Sequence, residues 1–262
     1  YTNQDGVMKG TNYQRYTLQS KQDFKKGIFQ AGTNVVLTYN QDKPLLSEIR
    51  GGYVGHTIQA IPTLEQYDAN QTGGYGALYG DVVNLYNPLG MVDDNLMNRY
   101  SDNVKIYANA YVSVEFMKGL KYKLNLTPDF QFYRYNSYLG LYDYGLNKND
   151  ITQVTEQQTR TRNVLVENLL TFDRTFGDHK ISVLAGYTYQ DSRYRYMQGS
   201  GQGMPTGIKE IDAAAQGLAV SGNSSRSVLT SILGRAFYSY KNRYLLTATI
   251  RRDGSSKFGA DN

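Results

Sequence analysis

The 262-residue sequence contains no cysteine and no tryptophan, two histidines and five prolines. Without cysteine there is no disulfide framework, no thiolate metal site and no cysteine nucleophile, and the redox compartment leaves no trace. Long apolar runs are missing too: none approaches the roughly 18 residues that a spanning helix needs. Hydrophobic residues make up 40 % of the chain and mean hydropathy is −0.54, so a bundle of membrane-spanning helices is excluded. Charge of one sign is scarce as well. A formal net charge of +5 is mild for this length and does not point to nucleic acid. Tyrosine, by contrast, is in excess, with 25 Tyr against 9 Phe. An apolar ring with a wet tip suits surfaces where oil meets water.

The sequence opens at Tyr1 with neither a basic nor an apolar leader and stops at Asn262 after a Gly/Ser-rich stretch. Both ends read as cuts through loops, and the expectation is an internal piece of a larger protein.

The clearest pattern runs from Val104 to Phe116. Val104, Ile106, Ala108, Ala110, Val112, Val114 and Phe116 occupy every second position, with Lys105, Tyr107, Asn109, Tyr111, Ser113 and Glu115 between them. Strict alternation over this length is a two-faced strand. After Met117-Lys118-Gly119 it resumes through Leu120, Tyr122, Leu124 and Leu126, which makes a hairpin near 103–135. Similar hairpins fall near 12–40, 160–196 and 225–252. Their breaks lie at Lys25-Lys26-Gly27, Thr175-Phe176-Gly177-Asp178 and Lys241-Asn242. Leu165, Leu169, Leu229 and Leu233 depart from the pattern by falling on the otherwise polar face.

Long connections, near 41–102, 136–159 and 197–224, separate these hairpins. Strict alternation of tight turns with long loops is the signature of an antiparallel transmembrane β-barrel with about eight strands in this stretch. A soluble sandwich also alternates, but three features favour the membrane. The strands exceed the usual five or six residues. Tyr187 and Tyr189 at one end, with Tyr238, Tyr240 and Tyr244 at the other, suit interfacial girdles. The opposite face carries Lys, Arg, Asn, Gln and Glu, which a wet lumen accepts and a dry core does not.

Candidates for chemistry are few. His56 and His179 lie in a long connection and at a tight turn, so no two-histidine metal site is expected. Gly199-Ser200-Gly201-Gln202-Gly203 lacks the strand-to-helix context of a phosphate loop. The cluster Asp93-Asp94-Asn95 reads as solvated rather than as a calcium site. No catalytic residue, cofactor or metal is expected. The better candidates for ligand contact are aromatic residues of the long loops: Tyr133, Tyr135, Tyr138, Tyr142 and Tyr144 in one extracellular segment, Tyr194 and Tyr196 in another.

The carboxyl-terminal run Arg251-Arg252-Asp253-Gly254-Ser255-Ser256-Lys257-Phe258-Gly259 follows the alternating Tyr244–Ile250 strand. This closely resembles the signature strand and loop of SusC/RagA-type TonB-linked outer-membrane transporters of Bacteroidota. Agreement extends to Tyr1–Val7 leading to Tyr13-Gln14-Arg15-Tyr16-Thr17, to Asn87-Pro88, to Phe176-Gly177-Asp178-His179-Lys180 and to Gly234-Arg235 before Tyr238-Ser239-Tyr240. The resemblance implies a 22-stranded barrel with an internal plug, in the bacterial outer membrane and in contact with its lipid. It also implies a SusD-like surface lipoprotein as lid, energy from the TonB complex, and oligosaccharide or peptide as cargo. The plug, the TonB-contacting segment and the remaining strands are not in this sequence. Arg251, Asp253, Gly254, Ser255, Ser256, Phe258 and Gly259 are then structural signature residues, expected to contact the plug or neighbouring loops, or simply to cap the strand. The runner-up is a non-transporting outer-membrane barrel whose loops serve adhesion.

Overall fold

The computed structural model describes residues 1–44, 52–79 and 85–259; parts of the connection 41–102 therefore lie outside the described residues. The strands in chain order are β1 (Thr2–Asp5), β2 (Asn12–Lys26), β3 (Phe29–Lys43), β4 (Met97–Met117), β5 (Leu120–Leu139), β6 (Tyr142–Asp143), β7 (Lys148–Asn149), β8 (Gln153–Phe176), β9 (His179–Gln202), β10 (Gln216–Tyr240) and β11 (Tyr244–Ser255). Nine of them form one antiparallel sheet in the order β1-β2-β3-β4-β5-β8-β9-β10-β11, and β6 pairs with β7 alone. The sheet is open, with β1 and β11 at its edges. It therefore has one strand more than the eight expected. Thr2–Asp5 carries no alternation to announce it, and only its pairing with Asn12–Arg15 makes it a strand.

At one end of the sheet the turns are minimal. Gly27, Gly119 and Gly177 adopt positive φ there, and Lys241 and Asn242 do so together at 50° and 53°. Two successive positive-φ residues make the turn whose twist matches a hairpin, so Asn242 is well placed and Lys241 is strained.

Register sets the two faces. Apolar residues of the Val104–Phe116 run pair with apolar-face residues on both sides: Val112 with Ala31 and Leu124, Ile106 with Leu37 and Phe130. The band continues through Val164, Val166, Leu170 and Phe172 on β8 and Ile181, Val183 and Ala185 on β9, then through Ile232 and Ala236 on β10 and Leu246, Ala248 and Ile250 on β11. Twelve steps of strand make roughly 40 Å, which a tilt of about 45° projects to about 28 Å, close to the thickness of a bilayer's hydrocarbon. No helix among the described residues is long and apolar enough to cross a membrane, which leaves crossing by strands open.

Beyond the band the strands keep going. β8, β9 and β10 run for 24, 24 and 25 residues. The segments expected as loops, 136–159 and 197–224, thus begin and end inside strands. Polar side chains occupy both faces there, so the alternation disappears while the backbone ladder continues.

At this far end the connections fold into a cap with its own interior. Helix α1 (Gly52–Gln59) contributes Tyr53, which clusters with Met91, Leu96, Met97, Tyr142 and Tyr144. A second cluster joins Tyr138, Val154 and Met204. Asn87, 2 % exposed, ties the cap together. Its amide donates to the carbonyls of Glu65 and Gly76 at 3.1 and 3.0 Å, and its Oδ1 accepts from the Leu89 N–H at 3.0 Å.

Candidate functional site

The face opposite the apolar band is a hydrogen-bonded polar surface. On β4, Asn109 donates to Asn125 Oδ1 and Thr127 Oγ1 at 2.9 and 2.8 Å, and Asn125 donates onward to Glu167 on β8 at 2.8 Å. Tyr111 donates to Asp23 at 2.9 Å, Lys121 to Gln30 at 3.1 Å, and Lys105 pairs with Asp129 at 3.4 Å. The Asn109–Asn125–Glu167 chain runs from β4 to β8, and separate side-chain pairs tie β2, β3 and β4 to their neighbours. These groups are matched by neighbours, whereas Ser113 Oγ on the same face of β4 is buried with no hydrogen-bond partner. Further along, the same face turns apolar around Gly186, which pairs with Leu169 and Leu233. A Cβ at Gly186 would lie 3.0 Å from atoms of both leucines, so the missing side chain lets the two approach. Leu165 and Leu229 share this face two rows on, where both pair with Gln190, and the polar row Glu167–Thr188–Ser231 stands between the two leucine pairs.

Between this polar network and the cap lies a shelf of aromatic and amide side chains. Tyr133 of β5 and Tyr196 of β9 both pair with Thr159 of β8, so the two rings flank one threonine on the polar face. One row nearer the cap, Tyr135, Gln157 and Gln198 align in the same way. Gln157 donates to Gln198 Oε1 at 3.0 Å, and the Tyr196 hydroxyl donates to the same oxygen. Tyr194 faces Thr161 and is exposed. These four tyrosines were expected in loops; they stand on strands, held by continuous pairing. Nothing in the local pattern points to Thr159, Gln157 and Gln198. Counting paired positions upward from the Gly177-Asp178 turn would have found them.

Tyr138, Tyr142 and Tyr144 require a correction. They are 2, 4 and 1 % exposed and form the cap interior, with the Tyr142 and Tyr144 rings stacked at 4.8 Å. Such rings cannot stack on a ligand without unfolding the cap. Burial pushes both the Tyr142 and the Tyr144 hydroxyl well above the ordinary tyrosine range. Gly90 is required beside them, because a Cβ there would overlap the Tyr144 hydroxyl. Tyr75 donates to Asp93 at 2.8 Å, and burial followed by that hydrogen bond raises its pKa to about 12. The other Asp93 oxygen accepts from the Asn95 N–H at 2.8 Å, and Asp94 pairs with Lys43. The Asp93-Asp94-Asn95 cluster is thus spent on holding the cap. No group of three or more His, Asp or Glu among the described residues could hold a metal ion.

The histidines serve packing. His56 is buried, and its Nδ1 accepts from the Tyr86 N–H at 3.3 Å. His179 Nδ1 lies 2.6 Å from the Tyr238 hydroxyl. Tyr238, Tyr240 and Tyr244 surround the Lys241-Asn242 turn on the apolar face, whereas Tyr187 and Tyr189 stand higher on β9, opposite Ile232 and Thr230.

In the carboxyl-terminal run, Arg251 donates to Asp253 at 2.8 Å and to Ser231 at 3.3 Å. Gly254 and Ser255 belong to β11, and the turn comes only at Ser256 and Lys257, because pairing with Leu229 and Thr230 continues to that point. Ser256 Oγ accepts from the Val228 N–H at 2.9 Å while its own N–H donates to the Val228 carbonyl at 2.9 Å. Phe258 is exposed, and nothing lies within 4 Å of the place a Cβ would take on Gly259.

An open antiparallel sheet with a membrane-high apolar band on one face, a wet network on the other, tight turns at one end and folded loops at the other is a section of transmembrane barrel wall. No family model matches the chain. Over its whole length it is 28 % identical to TonB-dependent receptor P3 of Formosa agariphila, and 24 % identical to the TonB-dependent receptor SusC of Bacteroides thetaiotaomicron; in both cases it covers 27 % of the relative. The structure of the RagAB peptide importer in its closed-closed state superposes with a TM-score of 0.80 at 16 % identity, covering 99 % of this chain and 30 % of that one. The chain is thus similar in sequence to SusC-type TonB-dependent receptors, and its fold matches that of a barrel wall in a related importer. It spans about a quarter of the length of the relatives it matches.

Proposed function

We propose that the chain forms part of the wall and cap of a TonB-dependent importer in the bacterial outer membrane. Oligosaccharide or peptide passes along its polar face, a SusD-like lipoprotein closes the barrel from outside, and the TonB complex supplies energy through a plug outside this sequence. The observation that carries the reading is the pairing of two unlike faces in one register, an apolar band of bilayer height backed by the Asn109–Asn125–Glu167 network. The names of the relatives support it, being those of receptors rather than enzymes, and the chain itself performs no catalysis and needs no cofactor. Tyr133 and Tyr196 on either side of Thr159 make the best ligand-contact candidates, since their rings can stack on sugars or side chains while the nearby amides accept and donate. Arg251 and Asp253, on the polar face of the edge strand, would contact the plug or a neighbouring loop in this reading.

Deleting the gene for the whole receptor and, separately, the gene for TonB tests the reading. Loss of growth on the same oligosaccharide or peptide substrate in both strains is expected. Growth unchanged in the deletion strain, with surface adhesion reduced, would favour the non-transporting barrel instead.

A further inference from the structure

The apolar face continues past the band toward the cap, and there its character inverts. Arg134 on β5, Arg160 and Arg162 on β8, Arg193 and Arg195 on β9 and Arg226 on β10 all share the parity of the band residues beneath them. Register sets these arginines directly opposite one another: Arg160 faces Arg195, Arg162 faces Arg193, and Arg193 faces Arg226. Directly opposed like charges destabilise a sheet, so this arrangement calls for a counter-anion.

The protein supplies too few. Asp191 takes Arg193 and Arg226 at 2.9 and 2.8 Å, and Asp102 takes Arg134 at 2.7 Å. Glu156 shares this face but stands four residues nearer the cap than Arg160. Arg160 and Arg162 lie over the rings of Phe132 and Phe130, at 5.4 and 5.5 Å from their centroids. Among the described residues, no carboxylate forms an ion pair with Arg160, Arg162 or Arg195. All three line a groove of 810 Å³, and Arg160 and Arg195, with Met197, are shared with an adjoining groove of 540 Å³.

We propose that this arginine field binds the phosphate groups of a glycolipid in the outer leaflet. Guanidinium forks match phosphate oxygens two at a time, and a phosphate between opposed arginines turns their repulsion into attraction. Position selects the source of the anion. The field lies on the lipid face, immediately above Val164, Val166 and Tyr189, where head groups begin once acyl chains cover the band. Cargo on the polar face is separated from it by the thickness of the sheet. Arg193 and Arg226, held by Asp191, form the fixed rim, and Arg160, Arg162 and Arg195 are the ligands left to engage. The inference rests on the reading of the apolar face as the lipid face.

The test uses the whole receptor, purified and reconstituted in phosphatidylethanolamine nanodiscs with trace bisphosphorylated lipid A, and its triple variant Arg160→Gln, Arg162→Gln, Arg195→Gln. Lipid A retained per protein is counted by mass spectrometry, and unboiled gel migration checks that the barrel is folded. We expect about a hundredfold lower retention in the variant, the scale of losing three cations beside an anionic surface, and a comparable loss when wild type is offered dephosphorylated lipid A. Lys180→Gln, on the polar face, should leave retention unchanged, and millimolar inorganic phosphate should not displace the lipid. Equal retention by wild type and triple variant, indifference to dephosphorylation, or full displacement by inorganic phosphate would each overturn the proposal. Failure of the wild type to enter the nanodisc at all would instead overturn the membrane reading beneath it.

Discussion

The wall and the cap solve the burial problem in opposite ways. In the wall, Leu18, Phe24, Val112, Ile232 and Ile250 remain exposed on the band face although they define the sheet. The hydrogen-bond ladder makes the strands, and surrounding lipid completes the burial. In the cap, Tyr53, Met91, Leu96, Tyr142 and Tyr144 are removed from water by one another. The same residue type therefore has two fates: Tyr187 and Tyr244 stand exposed on the band face, and Tyr144 is a core residue. Stability in one region depends on the surroundings, and in the other on internal packing.

That contrast can be broken from the cap side most strongly. Tyr144→Ala should cost about 3–5 kcal/mol, the range for emptying a buried aromatic site, and the loss should remain local. Hydrogen exchange should quicken across Gly52–Gln59 and 85–96 while β8 and β9 stay protected. Equal loss of protection in both regions would show that wall and cap are one cooperative unit.

From the wall side, Val183→Lys places a charge in the apolar band and should lower the free energy of folding into vesicles by about 2–4 kcal/mol. Ser182→Lys, one residue away on the polar face, should fold nearly as well as wild type. Similar penalties for both would mean that the two faces do not meet different solvents.

Smaller effects sharpen the account of the carboxyl-terminal run. Arg251 and Asp253 are exposed and bonded mainly to each other, so Arg251→Ala should leave the melting midpoint of the whole receptor unchanged. A clear drop in midpoint, accompanied by slower uptake, would show that the pair braces a neighbouring element. The least effect is expected from alkali. Tyr75 has its pKa raised to about 12 from 10.0, so its folded state holds the proton more firmly than the unfolded chain does. The stabilisation is complete below pH 10 and is lost as pH rises through about 12. Phenolate absorbance should show Tyr75 among the late-titrating tyrosines, and Asp93→Asn should make it titrate earlier while burial still holds it above the ordinary range.

How much of this was legible in the sequence differs from segment to segment. Val104–Phe116 announced its strand, its two faces and its hairpin partner, because lipid on one side and water on the other impose a strict period of two. Gly119 and Gly177 marked turns for a local reason, their positive φ. The upper halves of β8, β9 and β10 were illegible, since both faces of Thr155–Asn163 are polar and only pairing with neighbours keeps the backbone extended. The aromatic shelf was misplaced with them: Tyr133, Tyr135, Tyr194 and Tyr196 looked like loop residues once alternation faded. The four-residue β1 had no pattern of its own.

The sequence by itself determined the all-β class, the hairpin rhythm, the lipid-facing band and the likeness to SusC-type receptors, all of which rest on periodicity or on contiguous residues. Tertiary structure alone decided which tyrosines are buried, that Tyr133 and Tyr196 flank Thr159, and that arginines from β5, β8, β9 and β10 form one field. Such juxtapositions depend on register between strands, and an interstrand contact between residues far apart in the chain leaves no local trace in either partner.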